Sequence, residues 1–176
     1  PTMPKDVEGI EHAITSAEMF HLETLPKHIV VIGGGYIGVE FAGIMSGLGV
    51  KVCLAIRKET VLRGFDEDVR THVHEELKRK GVKVITNASP TKIEKKGETF
   101  IVHFSNGETA SGDKVLFAVG RDPHTTGLGL EKAGVKLNDR GAVIVDENSR
   151  TNVPHIFAVG DATDRVNLTP VASLEG

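Results

Sequence analysis

Tryptophan is absent from this 176-residue chain, tyrosine occurs once and cysteine once. A lone cysteine, Cys53, excludes an internal disulfide and any zinc cluster built on several thiolates, and it fits a reducing compartment. No apolar run approaches the roughly 20 residues that a membrane-spanning helix requires. The opening residues lack the charged-then-apolar order of a secretory signal. A net charge of −3 gives no reason to expect a nucleic-acid partner. Internal repeats, low-complexity tracts and obvious flexible linkers are missing too.

What is present is glycine and charge: 20 glycines, with 39% hydrophobic and 26% charged residues, the balance of a soluble α/β protein. The stretch SAEMFHLETLP predicts a short helix with Ser16 as N-cap and Pro26 at its end. IVVI at 29–32 is wholly apolar and runs straight into glycines, as a strand buried on both faces does. Ile37, Phe41, Ile44, Met45 and Leu48 then keep helical spacing, and Gly49 stands at the C′ position. VKVCLAI (50–56) reads as a second strand. Asp66 caps a further helix with acids in its first turn, Lys78, Arg79 and Lys80 at its negative end, and Gly81 as its stop. VKVIT (82–86) completes a β-α-β-α-β order, half of a doubly wound parallel sheet of the Rossmann type. Alternating segments broken by KG and NG predict a small antiparallel meander before KVLFAVG (114–120) returns to a buried strand. Two more short strands are expected, AVIVD near 142–146 and HIFAVGD at 155–161.

Residues 33–38 read GGGYIG, with Gly33, Gly35 and Gly38 in the G-x-G-x-x-G frame. The first glycine permits the strand-to-helix turn, the second lets backbone approach a pyrophosphate, and the third lets the helix pack on the strand. The amides opening the helix favour the phosphates. Dinucleotide sites of this design usually follow with an acid that grips the adenosine ribose. Here the second strand ends in Arg57, followed by Lys58 and, six positions on, Arg63. Guanidinium forks suit the oxygens of a 2′-phosphate, so the cofactor expected is NADP(H). Glu59 is near enough to serve a ribose, and Gly38 is the residue more usual in NAD-type fingerprints; the arginines decide for NADP(H) because Gly38 governs packing.

GGGYIGVEFAGIMSGLGVKV, IRKETVLRGFD, FAVGRDP, IFAVGD and LTPVA together resemble the pyridine nucleotide–disulfide oxidoreductases, and within them the glutathione-reductase branch. The resemblance implies that Tyr36 is a gate over the nicotinamide site, that Ile37 lines it, and that Glu40 contacts the nicotinamide end. It makes Gly120 a close-approach glycine on the NADP path and Asn167 a nicotinamide contact. Asp161 and Thr169 would bind FAD. By the same resemblance, residues 1–22 connect from an FAD domain, 23–121 bind NADP(H), and 122–176 return to the FAD domain. The full enzyme would pass hydride from NADPH to FAD and electrons on to glutathione disulfide, as a cytoplasmic homodimer with neither nucleic acid nor membrane as partner.

Several parts of that chemistry are not in the chain: no C-x4-C redox pair, no second glycine fingerprint, no catalytic His–Glu set. Cys53, inside an apolar strand, reads as an inert core thiol. His72 and His74, two apart on a helix, face different ways and make a poor metal site. The expectation is therefore a central segment of a larger flavoenzyme that binds NADP(H) without turnover, with residues 1–22 and 122–176 the poorest packed. Two alternatives stay open. One is a non-enzymatic NADPH-sensing module; the other keeps the family but acts on trypanothione, mercuric ion or a low-potential dithiol.

Overall fold

A computed structural model describes residues 1–176. The chain divides into two units, Pro1–Gly120 and Arg121–Gly176.

In the first unit the apolar runs become strands β1 (His28–Ile32), β2 (Lys51–Ala55), β3 (Lys83–Ile85) and, later, β7 (Lys114–Phe117). They form one parallel sheet in the order β3-β2-β1-β7. Side chains alternate across β1, so Ile29 and Val31 enter one core while Val30 and Ile32 enter another. Both faces are covered, which is why no polar residue interrupts the run.

Helices α2 (Tyr36–Gly47) and α3 (Glu67–Arg79) contribute to the first core through Phe41, Ala42, Met45 and Leu77. Each helix ends in a Schellman pair. Gly49 N–H donates to the Ser46 carbonyl and Val50 N–H to Met45; Gly81 N–H donates to Lys78 and Val82 N–H to Leu77. Asp66 caps α3 as expected, its carboxylate accepting from Asp68 and Val69 N–H at 3.0 and 3.3 Å. The second core lies under an antiparallel meander of β4 (Pro90–Lys96), β5 (Thr99–Phe104) and β6 (Thr109–Gly112). Ile93, Val102, Phe104 and Ala110 pack there against Val30, Ile32, Val115 and Phe117. Each buried Val, Ile or Phe side chain among them contributes about 1.5–3 kcal/mol.

Three expectations change. Helix α1 is only Ser16–Met19, and its N-cap is Thr15: the Thr15 hydroxyl accepts from Ala17 N–H while the Glu18 carboxylate accepts from Thr15 N–H at 2.7 Å. A capping box fits Thr15 and Glu18 and leaves Ser16 as the first helical residue. Residues 1–22, expected to pack poorly, do not: Val7 and Met19 are buried. Ile14 bridges to Leu116 in parallel, donating its N–H to the Val115 carbonyl at 2.8 Å and accepting from Phe117 N–H at 2.9 Å. This segment thus covers the outer edge of β7.

The third change lies in the second unit, where 142–146 and 155–161 form no strands. Only isolated bridges occur, Leu137–Val143 and Arg150–Phe157. A strand needs a neighbour along its length, and here each segment finds one for a single residue. Regular structure in this unit is limited to a 3-10 turn at Gly160–Thr163 and helix α4 (Thr169–Glu175). Loose packing does hold here: of the 14 large apolar side chains that are exposed, 7 belong to these 56 residues, Phe157 and Leu174 among them. No helix of the chain is long and apolar enough to cross a membrane.

Candidate functional site

The order of the parallel sheet reverses between β1 and β7, so the crevice beyond their C-terminal ends is where a doubly wound fold accepts a ligand. The glycine turn stands at that point. Gly33 has φ +125°, and a Cβ there would lie 2.3 Å from the Ala118 carbonyl oxygen. Gly38 is buried, and a Cβ on it would come within 2.1 Å of the Gly33 carbonyl oxygen. Gly35 differs from both: a Cβ there meets nothing within 4 Å. Gly35 is also the N-cap of α2 and brings no side-chain acceptor, so the first intrahelical bond is Val39 N–H to the Gly35 carbonyl. The amides before Val39 belong to the helix's outward-facing donors. Two glycines therefore serve packing, and the third leaves open space in front of a helix N-terminus, a place that favours an anionic group.

The second glycine of the run, Gly34, has a role the G-x-G-x-x-G frame does not announce. A Cβ at Gly34 would lie 3.0 Å from Ile56 Cγ2 and 3.6 Å from Val61 Cα. Its carbonyl accepts from Leu62 N–H at 2.6 Å. The cationic loop is thereby tied to the glycine turn, with Val61 and Leu62 buried beneath it. On the other side the loop is held by the turn after β3, where Ala88 N–H donates to the Ile56 carbonyl at 3.0 Å and Asn87 N–H to that of Lys58 at 3.3 Å.

Arg57, Lys58 and Arg63 are exposed, and none of them forms an ion pair. Beside them opens a groove of about 530 Å³. Its cations are Lys58, Arg63 and Arg70, its acids Glu59 and Glu67, and Thr60 and Asn87 add neutral polar groups. Arg57 precedes the groove and does not line it, whereas Lys58 does. Arg70 is engaged already, with Nε donating to the Val61 carbonyl at 3.1 Å and its terminal nitrogen paired to Glu67. Lys58 and Arg63 are left facing one unpaired acid, Glu59, so the groove carries a net positive charge. Thr60, Arg70 and Asn87 carry no sequence signal for this place; they arrive through the loop's fold and through α3.

Of the residues assigned to the nicotinamide side, Tyr36 and Ile37 are half-buried in the first turn of α2 and pack on the first core, while Glu40 is exposed one turn on. Gly120 has φ +153°, and its carbonyl accepts from Thr2 N–H at 2.9 Å. In the second unit Asp161 pairs with Arg121 at 3.3 Å. Asp161 is the second residue of the 3-10 turn Gly160–Thr163. Gly160 permits close approach, but of Ala172: a Cβ would lie 2.8 Å from Ala172 Cβ. Asn167 donates to Asp164 at 3.2 Å, and Asp164 also binds Arg140 at 2.6 Å. Thr169 is exposed as the first residue of α4.

Cys53 is buried in β2, and burial pushes its thiol up to about 11. His72 is exposed. His74 is half-buried with Nδ1 unpartnered, and burial lowers its basicity.

Residues 1–176 match the family model described as pyridine nucleotide-disulphide oxidoreductase. The glutathione reductase of Nostoc sp. is 46% identical over 183 residues, which cover 97% of this chain and 40% of that protein. The trypanothione reductase of Trypanosoma congolense is 47% identical over 180 residues, covering 100% of this chain and 36% of the relative. Among solved structures, the HOCl-induced flavoprotein disulfide reductase RclA of Escherichia coli superposes with a TM-score of 0.91 at 32% identity, over 99% of this chain and 41% of its own. The chain thus spans about two fifths of the length of the relatives it matches. On the match of its whole length to the family model and its identity to these enzymes, the chain belongs to the pyridine nucleotide–disulphide oxidoreductase family.

Proposed function

We propose that this chain is the NADP(H)-binding segment of an NADPH-dependent flavoprotein disulfide reductase. What supports the reading is the cationic loop, with Lys58 and Arg63 unpaired at a groove and the loop bonded to the glycine turn through Leu62 and Gly34. The open space at Gly35 and the helix N-terminus receive the pyrophosphate, and the adenosine 2′-phosphate goes to Arg57, Lys58 and Arg63. A phosphate monoester carries about −1.5 to −2 charges, which an acid at this place would repel.

Bound NADPH supplies the hydride that FAD accepts in the full-length protein. Tyr36 covers the nicotinamide site and moves aside for the ring; Ile37 lines it, and Glu40, Gly120 and Asn167 complete the nicotinamide path. Asp161 binds the ribityl or phosphate region of FAD, and Thr169 hydrogen-bonds the flavin ring. Residues 23–121 form the NADP(H) domain, 1–22 lead in from the FAD domain and pack along β7, and 122–176 return to the FAD domain. Glutathione disulfide is the substrate read from the motifs, with the whole protein a cytoplasmic homodimer. Trypanothione disulfide is the second substrate reading, favoured by the 47% identity to a trypanothione reductase.

The experiment is titration of the chain with NADPH and with NADH, repeated on Arg57→Ala and Arg63→Ala. Each charge-assisted hydrogen bond contributes about 1.5–3 kcal/mol. Either substitution should therefore weaken NADPH by about ten- to hundredfold and leave NADH nearly unchanged. Equal affinity for the two nucleotides in the unmutated chain contradicts the assignment. A chain that purifies yellow with flavin in its glycine turn reassigns that turn to FAD.

A further inference from the structure

Leucine at position 62 adopts φ +55°, a left-handed conformation that bulky side chains avoid. Such a residue keeps this geometry only when its surroundings over-determine it. Three contacts do so. Leu62 N–H donates to the Gly34 carbonyl at 2.6 Å, Phe65 N–H donates to the Leu62 carbonyl at 3.0 Å, and Arg70 Nε donates to the Val61 carbonyl at 3.1 Å. The first two are backbone bonds within reach of any sequence. The third comes from a side chain one helix away.

We propose that Arg70 is a positioning residue for cofactor selectivity: it locks the Val61–Leu62 turn and so fixes where Arg63 presents its guanidinium. This rests on the reading of the groove as the 2′-phosphate site. Arg70 is suited to the task because it stands in the first turn of α3, which Asp66 caps. Its side chain is only 21% exposed, and a guanidinium can bond in two directions at once. Nε meets Val61 while a terminal nitrogen meets Glu67. The Glu67 pair orients the fork, and the fork holds the loop. Lysine carries its donors on a single compact ammonium and lacks the planar fork that reaches these two acceptors from separate nitrogens.

The position of Arg63 matters because it is the residue directly after the strained one. A small rotation about Leu62 swings the Arg63 side chain away from a fixed phosphate. NADPH feels this change, and NADH, which has no 2′-phosphate, does not.

The test uses the full chain as Arg70→Met, which keeps the aliphatic stem, and as Arg70→Lys. Dissociation constants for NADPH and NADH are measured for each, alongside the thermal midpoint. Loss of one such hydrogen bond should lower the NADPH-over-NADH preference by about three- to tenfold, through NADPH alone, and Arg70→Lys should behave as Arg70→Met does. An unchanged preference in both variants overturns the proposal, as does equal weakening of both nucleotides, which marks a purely structural role. Full recovery in Arg70→Lys overturns it as well, since charge alone would then suffice. Absence of any NADPH preference in the unmutated chain instead overturns the 2′-phosphate reading, and this inference falls with it.

Discussion

Alanine at position 38 separates two explanations of the glycine turn. Glycine here is the residue more usual in NAD-type fingerprints, so Gly38→Ala would on that view improve NADPH binding at little structural cost. The geometry predicts otherwise. The new Cβ would lie 2.1 Å from the Gly33 carbonyl oxygen, a backbone atom at the end of β1 that cannot step aside as a flexible side chain would. Overpacking of this kind costs about 1–3 kcal/mol, and the better helix propensity of alanine returns about 1 kcal/mol. The net loss is about 0–2 kcal/mol, a fall of up to about 8 °C in the thermal midpoint for a unit of this size. Gly35→Ala is the matched control. Its Cβ meets nothing within 4 Å and its φ of −75° suits alanine, so the midpoint should stay within about 2 °C. That methyl occupies the space given to the pyrophosphate, and both NADPH and NADH should weaken by about tenfold or more with their ratio unchanged. Circular-dichroism melting and nucleotide titration read the two effects. An unchanged midpoint with tighter NADPH in Gly38→Ala, or intact binding in Gly35→Ala, refutes the division of labour among these glycines.

Cys53 and His74 give two further predictions. With its thiol at about 11, Cys53 should be ionised to about one part in ten thousand at pH 7 and react with a disulfide reagent only on unfolding; rapid labelling of the folded chain contradicts its burial. His74 resists protonation in the folded state because of burial and then Lys78, so the unfolded chain takes up the proton more readily. Its contribution to stability is full above the unfolded value near 6.5 and is lost as pH falls below it. The midpoint should drop less between pH 7 and pH 5 in His74→Gln than in the unmutated chain, and an equal drop assigns the acid sensitivity elsewhere.

The parallel half of the fold was legible because its signals are local. Apolar runs, a glycine fingerprint, and helix α3 with Asp66 at one end and Gly81 at the other each sit within a few residues of what they specify. What could not be read depends on partners distant in sequence. Ile14 joins the edge of β7 across about a hundred residues, and segments 142–146 and 155–161 look like strands but find no ladder. The site shows the same division. Gly33, Gly35, Gly38 and the cations announce themselves by type and spacing, yet the left-handed Leu62 and its bond to Gly34 appear only in the folded chain. Arg70 reads in the sequence as one more charge on a helix face; its bond to Val61 arises from how α3 crosses the loop.

The 2′-phosphate can be isolated from the rest of the cofactor. Calorimetric titration of the unmutated chain with 2′,5′-ADP and with 5′-AMP compares two ligands that share adenosine and a 5′-phosphate and differ in the group assigned to Arg57, Lys58 and Arg63. With the three cations in that role, 2′,5′-ADP should bind about ten- to hundredfold more tightly, and raising the salt concentration should erode the difference. Equal affinity for the two ligands at low salt would contradict that role.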